Sequence, residues 1–401
     1  MSHSIRRREF LAGSSRAALS LSLLPFVRRA QGNQKPAKLK DGPPWNALIA
    51  DLEKQIPQLM EAAVVPGLSI AIIKDAQLLW RRGFGVTNSA SKEPVDNDTV
   101  FEAASTSKPV FAYVVMKLCE KGVMDLDTPL THYTSERFLK SDPRLDLITA
   151  RHVLSHTSGF PNWRSTEEPL AIHFAPGEKW SYSGEGYGYL QSVVTHLTGH
   201  VNPKECATFE AGVEFCATDI DEYMKANVLV PFGMASSGYL WNDTMEKHMA
   251  RGHDEKGRPS EINRRPTRPS AARYGMAGGL FTTPTDYAKF LIEIMDPKAS
   301  DAFRLTKASL AEMLRPQVKR NPQSSWALGW EINHTESGDF LRHGGGNPGF
   351  SCFVAASVER KSGYVIMTNS ENNGYLGVIA KLITGEILPR FIGGKLRSAP
   401  E

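Results

Sequence analysis

Cysteine is scarce in this chain, with only Cys119, Cys206, Cys216 and Cys352 in 401 residues. Four cysteines cannot make a disulfide-built scaffold of this length, and no Cys/His spacing here fits a zinc site. An apolar stretch long enough to cross a membrane is also missing. The run Ala17 to Val27 has eleven residues, whereas a span needs about 20. Excess charge of one sign is missing too, once the start of the chain is set aside. The formal net charge is +4, but residues 1–30 hold six arginines (Arg6, Arg7, Arg8, Arg16, Arg28, Arg29) against Glu9, and removing that +5 leaves −1. Nucleic acid or an anionic membrane surface would need a basic face, so neither is expected as a partner.

Several chemical signatures are absent as well. No Gly-x-Ser-x-Gly elbow occurs, which argues against an α/β-hydrolase. Gly344-Gly345-Gly346 is not followed by Gly-Lys-Ser, so it is not a phosphate loop. His152 and His156 are four apart but lack the adjacent Glu of a helical zinc pair, and they read as structural. No metal and no cofactor is expected.

What remains is a globular composition: 41% hydrophobic residues, with neither repeats nor low-complexity tracts. Residues 1–30 look like an export signal, basic first and then apolar. Arg7-Arg8-Glu9-Phe10-Leu11 resembles a twin-arginine signal, which predicts a periplasmic or secreted bacterial protein. In such an oxidising compartment Cys206 and Cys216, which bracket a polar segment, are a candidate disulfide contributing about 2–3 kcal/mol by loop entropy. Lone thiols are the alternative there, and Cys119 and Cys352, in apolar runs, read as core thiols.

Residues 31–44 form a linker rich in Lys, Pro and Gly, and 45–391 read as one domain with a short tail, 392–401. Trp45 to Ala63 has helical periodicity. Leu68 to Lys74 and Gln77 to Gly85, split by Asp75-Ala76, predict a β-hairpin. Helical text starts at Ser105, and Thr149 is placed to cap a helix over Ala150 to Ser158 that Gly159 ends. Strands are expected at Trp326 to Ile332, Phe340 to His343, Phe350 to Val358 and Tyr364 to Thr368, then a closing helix at Tyr375 to Ile387. Strands at both ends around a helical middle predict a discontinuous α/β part (about 45–104 and 275–391) carrying a helical part (about 105–274). A cleft between the two is the expected ligand site.

The chemistry centres on Ser105-Thr106-Ser107-Lys108. Residues at i and i+3 share a helix face, so the Lys108 amine can reach the Ser105 hydroxyl. A serine is a weak nucleophile until a base takes its proton, and a lysine serves as that base only if burial or another cation lowers its pKa. By itself the pattern also fits a capping serine beside a surface lysine.

Taken in order with Tyr182-Ser183-Gly184 and His343-Gly344-Gly345, the motif resembles the serine β-lactamase and penicillin-binding protein superfamily. The version is the class C-like branch, which includes D-Ala-D-Ala carboxypeptidases and family VIII carboxylesterases. Leu154 to Gly159, Pro231 to Met234, Ala277 to Thr282 and Gly345 to Phe350 support the resemblance, which runs from about residue 45 to 390. It implies a β-lactamase/transpeptidase-like α/β fold: an antiparallel sheet flanked by N- and C-terminal helices, with a large helical insertion.

The resemblance implies a site as well. Ser105 attacks, Lys108 and Tyr182 share the proton relay, and the backbone N–H groups of Ser105 and Gly346 hold the oxyanion. His343 is counted with these catalytic residues, and Gly184, Gly344 and Gly345 line the substrate. On this reading the Lys108 ammonium holds the Tyr182 phenol below its usual pKa of about 10. Packing is the other role open to Tyr182, within the aromatic set Trp180, Tyr182, Tyr187 and Tyr189. Two positions depart from the family pattern, Gly184 where Asn is usual and His343 where Lys is usual. A free histidine is charged only below about pH 6.5.

The expected function is a serine hydrolase forming an acyl-Ser105 intermediate on a small ester or amide, with esterase activity favoured. A class C-type β-lactamase or D-Ala-D-Ala carboxypeptidase is the alternative. A non-catalytic sensor or decoy is the third reading, although such a protein would be expected to have lost Ser105, Lys108 or Tyr182.

Overall fold

The computed structural model describes residues 45–134, 137–139, 141–164, 168–198, 217–266, 275–336 and 338–392. Residues 1–44 and the pair Cys206 and Cys216 lie outside the described residues. Cys119 is a half-buried and Cys352 a buried free thiol.

An eight-stranded antiparallel sheet has the order β2-β1-β10-β9-β8-β7-β6-β5. Its strands are β1 (Gly67–Lys74), β2 (Gln77–Gly85), β5 (Val318–Asn321), β6 (Ser324–Trp326), β7 (Glu331–Thr335), β8 (Gly338–Asn347), β9 (Phe350–Ser357) and β10 (Ser362–Thr368). A separate pair joins β3 (Phe101–Glu102) to β4 (Phe281–Thr282). The hairpin between β1 and β2 turns at Asp75 and Ala76, with φ of 53° and 55°. A two-residue turn with both φ positive matches the twist of the strands it joins.

β1 and β10 are apolar along most of their length because helices cover both sheet faces. Leu68, Ile70, Ile72, Tyr364 and Ile366 pack with the helix α1 (Trp45–Ala63) and the C-terminal segment, whereas Ala71, Ile73, Val365 and Met367 face the larger core. A strand buried on both faces needs no polar alternation. α1 meets the sheet through Leu48, Leu52, Ile56 and Met60, spaced every four residues along one stripe. The larger core holds α2 (Ser107–Glu120), α4 (Gly184–Thr198) and the helix Pro284–Met295.

Three local expectations change. Thr149 caps a helix, with His152 completing a reciprocal capping box, but this helix, α3 (Ala150–Leu154), stops early. The chain then turns at His156, whose φ is 56°. The single strand expected from Trp326 to Ile332 is two, β6 and β7, joined by a turn in which Gly329 has φ of 83°. A Cβ at Gly329 would lie 2.6 Å from the Ala112 methyl, so the turn is fixed by its packing on α2. The closing helix is a π-helical segment, Asn373–Ile379, followed by Ala380–Thr384 and Leu388–Ile392.

Candidate active site

Ser105 sits in a single 3₁₀ turn, Ala104–Thr106, that runs straight into α2. Ala104, just before it, has φ of 45°, a left-handed conformation that costs a non-glycine residue on the order of 1 kcal/mol. The turn is held from behind: the Ser107 hydroxyl donates to the Ala104 carbonyl at 2.6 Å and accepts the Leu280 N–H at 3.0 Å. α2 is buried on every side over most of its length, so Lys108, one turn on from Ser105, enters the interior with it.

The Lys108 amine donates to Ser105 Oγ at 3.3 Å and to the Ala277 carbonyl at 2.6 Å. It lies 4.8 Å from the Tyr182 ring centroid and 5.4 Å from that of Tyr187. Among the described residues no carboxylate pairs with it. Burial therefore lowers its pKa from 10.5 to about 7. Near neutrality a large share of Lys108 is a free amine within reach of a serine hydroxyl, which is what proton removal requires.

Tyr182 behaves opposite to expectation. Burial raises its pKa well above 10, and the nearby Ser105 hydroxyl opposes this only in part. Lys108 cannot hold the phenol ionised when its own charge is half lost. Tyr182 is thus a protonated phenol whose buried hydroxyl has no well-formed hydrogen bond among the described residues. The aromatic stretch around it divides: Trp180 and Tyr182 line the cleft, Tyr187 lies beneath Lys108, and Tyr189 stacks on Phe138 in the core.

His343 departs from expectation more sharply. It is 4% exposed on β8, and burial, reinforced by the charges of Lys108 and Arg342, lowers its pKa to about 3. It is neutral across the physiological range, not a cation that appears below pH 6.5. Its Nδ1 is 2.7 Å from the Gly344 carbonyl, which only accepts, so Nδ1 carries the proton and Nε2 is left as a buried acceptor without a partner.

The cleft has a volume of about 460 Å³. Ser105 and Tyr182 face His343, Gly344, Gly345 and Gly346 across it. A Cβ at Gly345 would come within 2.9 Å of the Ser105 nitrogen and the Ala103 carbonyl, so only glycine lets β8 lie this close to the serine turn. Gly184 is not in the lining. A Cβ there would fall 2.6 Å from the Trp163 ring and 2.7 Å from the Asn162 carbonyl, so the position that usually carries Asn is covered by an aromatic.

His156, buried, accepts the Ser183 N–H at 3.0 Å and lies 4.1 Å from Tyr182 between ring centroids. His152 caps α3, as described above. No group of three or more metal-ligating side chains occurs among the described residues.

Trp326, Arg320, Glu331 and Tyr375 line the cleft without having been singled out in the sequence. Arg320 stacks 4.0 Å over Trp180 and pairs with Glu331 at 2.7 Å, and Glu331 also receives Arg342. No sequence motif marks them: pairing of β5, β6 and β7 brings Arg320, Trp326 and Glu331 together, and Tyr375 comes from the π-helical segment Asn373–Ile379.

Fold and site define a class, that of antiparallel-sheet proteins with Ser-x-x-Lys at the head of a buried helix and a glycine-rich strand across from it. The Beta-lactamase family matches residues 52–384, and the chain belongs to that family. Protein flp of Staphylococcus aureus (strain MRSA252) is 21% identical over 363 residues, 85% of this chain and 67% of that protein. Penicillin-binding protein 4* of Bacillus subtilis (strain 168) is 23% identical over 348 residues, 76% of this chain and 68% of that protein. The crystal structure of a beta-lactamase/D-alanine carboxypeptidase from Pseudomonas syringae matches with a TM-score of 0.67 at 19% identity, covering 84% of this chain and 98% of that one. An octameric penicillin-binding protein homologue from Pyrococcus abyssi matches with 0.66 at 23% identity, covering 83% and 76%. At these identities the likeness to solved structures establishes the fold.

Proposed function

We propose that the chain hydrolyses small neutral esters through an acyl-Ser105 intermediate. The observation that carries this is the Lys108 amine, with a pKa lowered to about 7, 3.3 Å from Ser105 Oγ. Neutral Lys108 takes the Ser105 proton as Oγ attacks the carbonyl carbon. The oxyanion is held by the N–H groups of Ser105 and Gly346, each such donor typically lowering the barrier by about 3–4 kcal/mol. Protonated Tyr182 gives its proton to the leaving oxygen and regains one from the Lys108 ammonium. Water then cleaves the acyl-enzyme by the same relay in reverse.

Two features support a neutral substrate. His343 is an uncharged acceptor where a carboxylate would want a cation, and Trp163 covers the position that would hold an amide side chain. A second reading, a D-peptidase or β-lactamase, is supported by Arg320, whose guanidinium in the cleft wall offers a carboxylate another cation. Intact mass after a fluorophosphonate probe tests the mechanism: one adduct is expected on the wild type and none on Ser105→Ala, and an adduct elsewhere would overturn it. Rates at pH 7.5 on a short-chain nitrophenyl ester, a penicillin and a D-Ala-D-Ala peptide test the substrate class. Faster turnover of either of the last two would replace the esterase reading.

The proposal extends to location, from sequence alone: export by the twin-arginine route, with Cys206 and Cys216 bridged afterwards. Replacing Arg7 and Arg8 by Lys should leave the protein in the cytoplasm, and periplasmic protein should carry no free thiol at either cysteine. Unchanged export, or two free thiols, rejects the corresponding part.

A further inference from the structure

Glu102 is 3% exposed and takes no part in the steps above, yet it lies three residues before Ser105. Its Oε2 accepts the Asn347 side-chain amide at 2.6 Å, and Asn347 directly follows Gly346 on β8. The same amide donates to the Gly278 carbonyl at 3.1 Å. Gly278 is one residue from Ala277, whose carbonyl takes the Lys108 amine. One side-chain nitrogen therefore ties together three segments, 101–108, 275–280 and 343–352, each of which supplies part of the site.

The charge of Glu102 also needs an account. A bare carboxylate so close to an oxyanion pocket would repel the negative charge that develops there. Arg264 removes that difficulty, donating from Nε and Nη2 to Glu102 at 2.5–3.1 Å. Behind the turn the Cys352 thiol donates to the Ala103 carbonyl at 2.8 Å, so the β9 side of the turn is fixed as well. The Glu102–Asn347 bond is the link that spans from the serine turn to the Gly346 end of β8.

We propose that Glu102 and Asn347, with Arg264 as counter-charge, are a positioning pair that sets the spacing between the two oxyanion amides, those of Ser105 and Gly346. The inference rests on the serine-hydrolase reading. Such a pair acts on the transition state: its loss moves one amide relative to the other, and displacements of about 1 Å are enough for roughly hundredfold losses.

The test compares wild type, Glu102→Gln, Asn347→Ala, Asn347→Thr and the double variant Glu102→Ala/Asn347→Ala with the two single alanine variants. Three readouts are taken: melting temperature, kcat and KM on a short-chain nitrophenyl ester, and affinity for an arylboronic acid that mimics the tetrahedral intermediate. Asn347→Ala is expected to lower kcat by about 10–100-fold with KM changed less than about threefold, and to weaken boronate binding by the factor lost in kcat/KM. Asn347→Thr, which keeps a donor, should recover part of the loss, and the double variant should lose little more than either single one. Additive losses, or kcat within about twofold of wild type in a folded Asn347→Ala, overturn the pair. So does a loss confined to KM, or one that only follows melting temperature across the set. Fluorophosphonate labelling of the wild type separates the two levels: a labelled wild type with unaffected variants rejects this inference alone, and an unlabelled wild type rejects the hydrolase reading and the pair with it.

Discussion

The Lys108 amine stands 3.3 Å from the Ser105 hydroxyl in a setting where burial lowers its pKa to about 7. Folding thus converts a residue that is cationic in water into a base. The unfolded chain keeps the ordinary value of 10.5, so it binds more protons than the folded one between about pH 7 and 10.5. Stability from this group therefore rises with pH across that window and is at its lowest below it.

The kinetic consequence is direct. The base form of Lys108 grows as pH rises through 7, so kcat/KM for a neutral ester should climb between pH 6 and 8 and level off above, with its inflection near 7. Lys108→Arg, which cannot lose its proton, should cost about 10²–10⁴-fold and flatten the profile. A profile that falls with pH in this range would contradict the assignment.

The thermodynamic consequence can be measured separately. Lys108→Met should be more stable than wild type at pH 7 by about 1–3 kcal/mol, since it removes a desolvated amine. The gap should narrow from pH 7 to pH 10. A Met variant that is less stable at pH 7 would show that the bond to the Ala277 carbonyl outweighs the burial cost.

At His343 the expected outcome is an absence of titration. With a pKa near 3 it stays neutral from pH 5 to 8, so carboxylate-bearing substrates should show no loss of kcat/KM attributable to this residue in that interval. His343→Lys should raise kcat/KM for a carboxylate-bearing substrate relative to a neutral ester. A unit charge at about 4 Å is worth about 1–4 kcal/mol, which is fivefold or more. An unchanged ratio would show that a buried lysine there loses its charge as Lys108 does.

The reason the sequence reading missed this is physical. That Ser105, Lys108, Tyr182 and the glycines of β8 meet at one cleft was legible in the sequence, because their order and residue types are those of the three separated motifs. The ionisation of His343 and Tyr182 was not, because it depends on Trp326, His156 and β9 closing over them from distant parts of the chain. The sheet was readable from apolar runs covered on both faces, whereas the break at Gly329 depends on the Ala112 methyl two hundred residues away. Glu102 and Asn347 escaped notice because each is unremarkable until β3 and the end of β8 are brought together.

Trp163 makes Gly184 a test of specificity. Gly184→Asn alone should destabilise the protein by about 1–3 kcal/mol, because its Cβ would fall 2.6 Å from the Trp163 ring, and should gain no β-lactam or peptide turnover. Paired with Trp163→Ala, the ring clash is gone and the 2.7 Å approach to the Asn162 carbonyl is what remains, so the relief is partial. The double variant should regain stability over Gly184→Asn and show amide turnover that neither single change produces. If Gly184→Asn melts like wild type, Trp163 moves aside and is not what excludes the amide.

Gly345 and Gly346 are neighbours with opposite steric demands. A Cβ at Gly345 would sit 2.6 Å from Cys352 Sγ and 2.9 Å from both the Ala103 carbonyl and the Ser105 nitrogen. A Cβ at Gly346 would meet nothing within 4 Å. Gly345→Ala must therefore push β8 off the serine turn, lowering kcat by roughly 10² and melting by several degrees. Gly346→Ala should leave the melting temperature unchanged. Cys352→Ala added to Gly345→Ala relieves only the sulfur contact, and since two of the three close approaches are to backbone atoms of the turn that carries Ser105, kcat should stay low. Recovery of kcat in that double variant would place the constraint on the thiol, and the approach of β8 to the serine turn would then not be what demands glycine.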